Sequence, residues 1–395
     1  LAEIGAAEQI TEGSVENFGL HDKIEIFDRE FHIHTGAMIE HNRIITEVFE
    51  RGMFLLSRQY DINLRKDRIG HDYDFLSKVT ENFHQNVIDE LESLYLVQEK
   101  LMRYRHPKSH YYLGILFLKR NLFEESIREF KTSLEQDHSF NRAFIGLGVS
   151  YLKSRKFVTA KETFKTALNM SEKFPDFLNY YGLAHLFLDE YDEAMSLFKE
   201  AIRLNPKYVE AQFNLGVALY KSALHGAHDP EAVAVPARVS IYLKQVRDLS
   251  KYRVPMWQKE FNQLLELLRD NQHNTIIPEL EQFQLKLVDL VSDREKIFEF
   301  FLRFLFGGKD LTLETINKYQ SIFVANDSDT QHYPDYWNDL GTFNLIKSRG
   351  LLMKAMSEFE KALELAPGFD EAQKNLDTIR SHEKGFMILL RAILK

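Results

Sequence analysis

No cysteine occurs among the 395 residues, which excludes disulfides, thiolate metal sites and cysteine nucleophiles. A basic excess is missing as well. Lys and Arg number 50 against 59 Asp and Glu, a net charge of -9, so a polyanion finds no electrostatic footprint and nucleic acid is excluded as a first expectation. Long apolar runs are absent too. The most apolar segment, IFEFFLRFLFGG at 297–308, is charged and shorter than the roughly eighteen residues a membrane helix needs. The chain opens LAEIGAAEQITEG, without Met or a basic-then-apolar leader, so the expectation is a processed product or an excised piece, with residues 1–20 as a flexible arm. The lack of a long apolar run predicts a soluble protein, and the location expected for it is cytoplasmic.

What the chain has in plenty is length and aromatic surface. It is longer than one compact core usually holds, which predicts two or three units. Its 31 Phe and 17 Tyr must be buried inside the fold or against a partner.

Residues 107–140, 141–174 and 175–208 align with a period of 34. Position eight is Gly114, Gly148 and Gly182, continuing to Gly216 when a further register begins at Val209. Position twenty-four is Phe130, Phe164 and Phe198; positions twenty and twenty-seven are small, with Ser126, Ala160 and Ala194, then Ser133, Ala167 and Ala201. In a helical hairpin stacked on copies of itself, the small residues let helices approach and the Phe fills the space beside them. Pro206 stops a helix that must turn into the next. A later segment, PDYWNDLGTFNLIKSRGLLMKAMSEFEKALELAPGFDEA, carries Trp337, Leu340, Gly341, Ala355, Phe359, Ala362 and Pro367 in the same order with a turn two residues longer, and is expected to be another complete hairpin.

This pattern resembles the tetratricopeptide repeat over about half the chain. The resemblance implies a mostly α fold: a solenoid at 107–224 of three repeats and the first helix of a fourth, a helical insertion at 225–333, a further repeat with a capping helix at 334–384, and an apolar tail at 385–395. Four helices are expected within the insertion, at roughly 231–250, 256–271, 277–306 and 312–324. The first could supply the missing second helix of the fourth repeat, with Val239, Leu243 and Val246 on its stacking face. The Phe-rich EKIFEFFLRFLF is apolar around most of its circumference, which argues for burial on several sides.

Function in such arrays lies in the concave groove lined by the first helices. The family's groove positions fall on Tyr111, Tyr112, Ile115 and Lys119, then Arg142, Val149 and Lys153, then Asn179, Tyr180, Leu183 and Phe187, then Phe213, Asn214, Val217 and Lys221. Chaperone-binding members of the family hold a terminal carboxylate with a lysine at position five. Here that position is Tyr111 and Ile145, so the clamp is absent from the first two copies. What remains is an aromatic and aliphatic trough edged by Lys119, Lys153 and Lys221, suited to an apolar helix or an extended peptide with acidic residues. The competing expectation is that the inserted helices fill it from within. The resemblance implies a non-catalytic adaptor with a protein or peptide partner, no cofactor and no nucleic acid. Self-association through the insertion or the tail is the other expectation.

From Lys23 the period changes. KIEIFDREFHIHTGAMI and RIITEVFERGMFLLSRQYDI read as two hairpins, with turns at Asp28-Arg29 and Glu50-Arg51-Gly52, and the segment from Asp72 to Tyr104 as a helix that covers them. Residues 21–105 thus predict a small antiparallel sheet with a helix, and resemble a domain of unknown function seen ahead of tetratricopeptide arrays in some bacterial proteins. His32 and His34 share one face of a strand, which permits a metal site only if His21, His41, His71 or His84 joins them. No HExxH, carboxylate pair or nucleophile elbow accompanies them. Ordinary residues on an open sheet face are the expectation, with a metal-dependent or enzymatic protein as the alternative. FGGKD at 306–310 lacks the first glycine and the hydroxyl of a phosphate loop and reads as a helix stop.

Overall fold

The computed structural model describes residues 19–38, 43–62, 73–170, 173–225, 235–249, 252–253, 255–270, 273–288, 294–307, 313–323 and 334–394. The chain divides into two compact units, Leu1–Leu96 and Val97–Lys395. The division falls inside a helix rather than at its end.

In the first unit, strands β1 (Gly19–Ile26), β2 (Arg29–Met38), β3 (Arg43–Glu50) and β4 (Met53–Asp61) pair antiparallel in that order. The two expected hairpins therefore join into one meander through β2 and β3. The β3–β4 turn is set by Arg51 and Gly52, both at positive φ (49° and 76°), the geometry that matches the twist of paired strands. Alternation along β2 buries Phe31, Ile33, Thr35 and Ala37. Helix α1 (Tyr73–Leu101) covers that face, with Leu76, Val79 and Phe83 against Ala37, Ile44 and Ile62.

In the second unit the repeats run as α2 (Pro107–Lys119), α3 (Phe123–Gln136), α4 (Asn141–Lys153), α5 (Phe157–Met170), α6 (Pro175–Leu186), α7 (Tyr191–Leu204) and α8 (Val209–Leu224). The predicted register holds at atomic scale. A Cβ added to Gly114, Gly148 or Gly182 would lie 2.8, 2.4 or 2.6 Å from the ring of Phe130, Phe164 or Phe198, closer than real atoms approach. Each inter-helix turn is made by Asn121, Arg155 or Asp189 at positive φ (57°, 59° and 59°). The next N–H then donates back to the helix, Leu122 to Phe117 O, Lys156 to Tyr151 O and Glu190 to His185 O, which satisfies carbonyls at the helix end.

The fourth copy lacks that turn. Ala223 stands at the equivalent position and α8 continues to Leu224. Its second helix is supplied late, by α9 (Val235–Arg247), whose Val239, Leu243 and Val246 are fully buried, as the stacking face required. Tyr242 takes the place of the repeat's Phe, 3.3 Å from where a Cβ on Gly216 would sit.

Three expectations are corrected further on. The helix expected at 277–306 is two, α11 (His273–Leu287) and α12 (Glu295–Phe306), which follow α10 (Pro255–Arg269) and precede α13 (Leu313–Phe323). The late hairpin is a single helix, α14 (Pro334–Leu365). Ser348-Arg349-Gly350 contains no proline, and one glycine costs a helix only about 1 kcal/mol. Gly341 accordingly faces nothing within 4 Å, whereas Gly350 packs against Ile316 and Leu313 of α13. The tail from 385 is not a separate segment, since α15 (Asp370–Leu394) runs through it, with Leu390 buried and Ile388 69% exposed. The arm before residue 19 and the FGGKD lysine lie outside the described residues.

Candidate functional site

The first helices α2, α4, α6 and α8 place the predicted groove residues side by side, and the groove is occupied by the chain itself. Tyr111, Tyr112, Ile115, Val149, Asn179, Tyr180, Leu183, Phe213, Asn214, Val217 and Lys221 are all buried. Lys119, Lys153 and Phe187 are half-buried, and Arg142 is exposed. The Phe187 ring stacks on Phe157 of α5 at 4.8 Å.

Helix α11 lies across α8 and α6. Lys221 Nζ donates to Glu281 Oε1 at 2.6 Å and pairs with Asp189 at 3.0 Å, so its charge is enclosed between a carboxylate of the array and one of the insertion. Burial pushes the Asp189 carboxyl up, but hydrogen bonds from Lys221 and Tyr191 outweigh it and hold the group below its ordinary range. One turn on, Gln284 Nε2 donates to Asn214 Oδ1 at 2.8 Å, Asn214 Nδ2 to Asn179 Oδ1 at 2.8 Å, and Asn179 Nδ2 to the Tyr208 hydroxyl at 3.2 Å. Lys153 Nζ then donates to Val288 O, just past the end of α11, at 3.2 Å. A cation at the carbonyl end of a helix is favourable on dipole grounds. These contacts run from the fourth copy back to the second.

Helix α12 continues the line into the first copy. Arg120, 1% exposed, donates to Leu116 O at 2.8 Å and pairs with Glu295 at 3.1 Å. Phe298 lies flat on Tyr112, with centroids 4.2 Å apart, and Arg294 sits over Phe298 while pairing with Asp339 of α14. Burial raises the phenol pKa of both Tyr111 and Tyr112. The competing expectation, a trough filled from within, is what the structure shows for the described residues. Sequence reading missed Glu281, Gln284, Glu295 and Arg120. Only the all-round apolar character of α12 signalled its burial.

The histidines separate by face. His21, His32 and His34 gather on the open face of the sheet, with His21 Nε2 3.3 Å from His32 Nδ1 and the His21 and His34 rings 4.2 Å apart. His32 Nε2 is 2.8 Å from Glu30 Oε1. His84 lies on the other face, buried, with Nδ1 2.7 Å from Thr35 Oγ1 and Nε2 3.2 Å from Asp22 Oδ2. That order of hydroxyl, imidazole and carboxylate is a closed polar link between α1 and the sheet, because Thr35 is buried and its Oγ1 is also 2.7 Å from Thr46 Oγ1. Among the described residues no group of three or more His, Asp or Glu is arranged to hold a metal. His41 and His71 lie outside them.

The sequence model of the TPR repeat matches residues 188–222. Among solved structures the chain is similar to YrrB, described as a TPR protein with an unusual peptide-binding site, at 19% identity over 48% of this chain and 97% of that one, with a TM-score of 0.31. It is similar also to PilF of Pseudomonas aeruginosa, at 19% identity over 60% and 96% with a TM-score of 0.32, and to a tetratricopeptide repeat protein of Parabacteroides merdae, at 13% over 72% and 99% with a TM-score of 0.29. No curated protein matches the chain.

Proposed function

We propose that this chain, whose residues 188–222 match the TPR repeat, is a non-catalytic scaffold whose concave trough takes a helix of a partner protein in exchange for its own inserted helices. Repeat arrays of this kind serve protein–protein interaction in general. The observation that carries the finer reading is a polar set in an apolar trough: Lys221 meets Glu281 and Asn214 meets Gln284 of α11, Asn179 meets Asn214, and Lys153 meets the Val288 carbonyl just past that helix. A mere core would be filled by apolar packing, since buried polar groups add little net stability but impose register and orientation. The resident helices also supply a pattern for the partner. Over the fourth copy it is an amphipathic helix with a glutamate to meet Lys221 and an amide one turn later to meet Asn214, the contacts that α11 now makes. A cytoplasmic, bacterial setting belongs to the same proposal.

The test is exchange. A labelled peptide of residues 273–306 is titrated against the full chain and against its Glu281→Lys variant, which places two ammonium groups together and should release α11. The variant should bind the peptide at least tenfold more tightly than the parent. A folded variant that binds no peptide would show that the trough is core and not a binding surface.

A second reading has its own observation. On α15, Ile388, Leu389 and Ile393 are exposed, an apolar surface suited to self-association. Sedimentation of the full chain across a range of concentrations, with and without Ile388→Glu, decides it; a monomer at every concentration removes this reading.

A further inference from the structure

Gly341 and Phe359 are the repeat's glycine and phenylalanine in α14, and within one chain they never meet. In the first three copies the pair is sixteen residues apart, and the turn between them brings the ring onto the glycine. In α14 the two are eighteen residues apart on one continuous helix, which separates them by about 27 Å at 1.5 Å per residue. A Cβ on Gly341 would meet nothing within 4 Å, and Phe359 is only half-buried. One half of a hairpin lacks its ring, and the other lacks the glycine that would receive it.

Eighteen residues at 3.6 per turn are also five whole turns, so Gly341 and Phe359 lie on the same face of the helix. Gly350, midway between them, lies on the opposite face, against Ile316 and Leu313 of α13. The outward face is a stripe of Trp337, Gly341, Leu345, Ser348, Leu352, Ala355, Phe359 and Leu363, without one charged residue. Trp337 is 57% exposed, Gly341 and Ser348 are exposed, and the other five are half-buried. Lys347, Lys354 and Glu358 fall off the stripe. A helix face that met only water would carry such charges itself.

The stripe is complementary to itself. Against an antiparallel copy related by a twofold axis at the level of Gly350, Trp337 comes opposite Leu363, Gly341 opposite Phe359, Leu345 opposite Ala355 and Ser348 opposite Leu352, each pair occurring twice. In the last three pairs a small residue faces a large one, the interdigitation that lets two helices approach closely. A twofold contact demands this reciprocity, residue for residue.

We propose that α14 pairs antiparallel with α14 of a second copy of this chain, so that the Phe359 ring of each seats on Gly341 of the other, the contact that Phe130 makes with Gly114. The dimer completes in trans the helix crossing that the straight helix prevents in cis. The pairing uses none of Ile388, Leu389 and Ile393, so it does not rest on self-association through α15 and fails separately from it.

The absence of native cysteine makes disulfide trapping in the full chain a direct test. Oxidation of the Leu345→Cys/Ala355→Cys double variant should give a disulfide-linked dimer, whereas either single variant should stay unlinked. Residues 345 and 355 are about 15 Å apart along one straight helix, beyond the roughly 7 Å that a disulfide spans between Cα atoms, and in the dimer each residue is as far from its own copy. Sedimentation equilibrium gives the second measurement. Parent and Ile388→Glu should dimerise alike, and Gly341→Ala, which places a methyl group where the Phe359 ring must sit, should weaken the dimer at least tenfold while the monomer stays folded by circular dichroism. If the double variant fails to fold, the sedimentation series decides alone. A disulfide within one chain, linking by a single variant as efficient as by the double, a monomer at every concentration, or a dimer that Ile388→Glu abolishes or that Gly341→Ala leaves unchanged would overturn the proposal.

Discussion

Tyr112 and Phe298 stack with their rings 4.2 Å apart and their planes within 12°, one from the first repeat and the other from a helix nearly two hundred residues later. Stacked aromatic pairs contribute about 0.5–1.5 kcal/mol beyond the area they bury, and both side chains are buried. Phe298→Ala should therefore cost about 3–5 kcal/mol, read as a lower urea midpoint. Phe298→Leu, which keeps most of the volume, should cost less. A loss under about 1 kcal/mol for the alanine variant would mean that α12 merely lies over the trough and is not packed into it.

Alkaline stability should follow the buried tyrosines. Burial raises the phenols of Tyr111, Tyr112 and Tyr208, whereas in the unfolded chain a phenol ionises near pH 10. Above that pH the folded protein holds more protons than the unfolded one, so stability falls as pH rises. Urea midpoints should begin to drop near pH 10 and keep falling as the pH rises further, and Tyr112→Phe should make the drop shallower. Tyrosinate absorbance that appears before unfolding at these positions would count against the buried trough.

How much of this was legible in the sequence depends on distance along the chain. The three glycine-to-phenylalanine contacts were, because both partners lie within one 34-residue period and the pattern recurs. The sheet and its covering helix were, because period-2 alternation is local. The occupant of the trough was not. Lys221 and Glu281 are sixty residues apart, and nothing in a single sequence says which acidic residue meets a buried lysine. Glu281 reads as one more surface carboxylate until α11 is docked. The late hairpin misled for a different reason. Trp337, Gly341, Ala355 and Phe359 reproduce the spacing of a repeat, but with no Pro to break it, and one glycine costing a helix only about 1 kcal/mol, that spacing is equally consistent with one long helix.

The two kinds of glycine can be told apart by adding a single methyl group. Gly182→Ala drives a Cβ to 2.6 Å from the Phe198 ring, and overpacking of this kind costs about 1–3 kcal/mol. Gly341→Ala meets nothing within 4 Å on an exposed face of α14, and exchanging a mid-helix glycine for alanine gains about 1 kcal/mol. Denaturation midpoints should move in opposite directions. A destabilised Gly341→Ala would restore a hairpin crossing at that point.

His34 should titrate under the influence of its neighbours. His34 is held below the ordinary imidazole range, first by burial, then by His21 and His32, with Glu47 opposing. Its pair across the β1–β2 ladder is His21, and across β2–β3 it is Glu47. An imidazole with a lowered folded pKa favours the neutral form, so the folded state is favoured above the unfolded value near 6.5 and loses that contribution as pH falls through it. Proton NMR should show His34 charging at lower pH than a free histidine. His21→Ala should bring it back toward the ordinary value by removing a neighbouring positive charge, while Glu47→Gln should push it lower still. The ordering of the two variants is the discriminating result, because a shift caused by burial alone would leave both of them where the parent is.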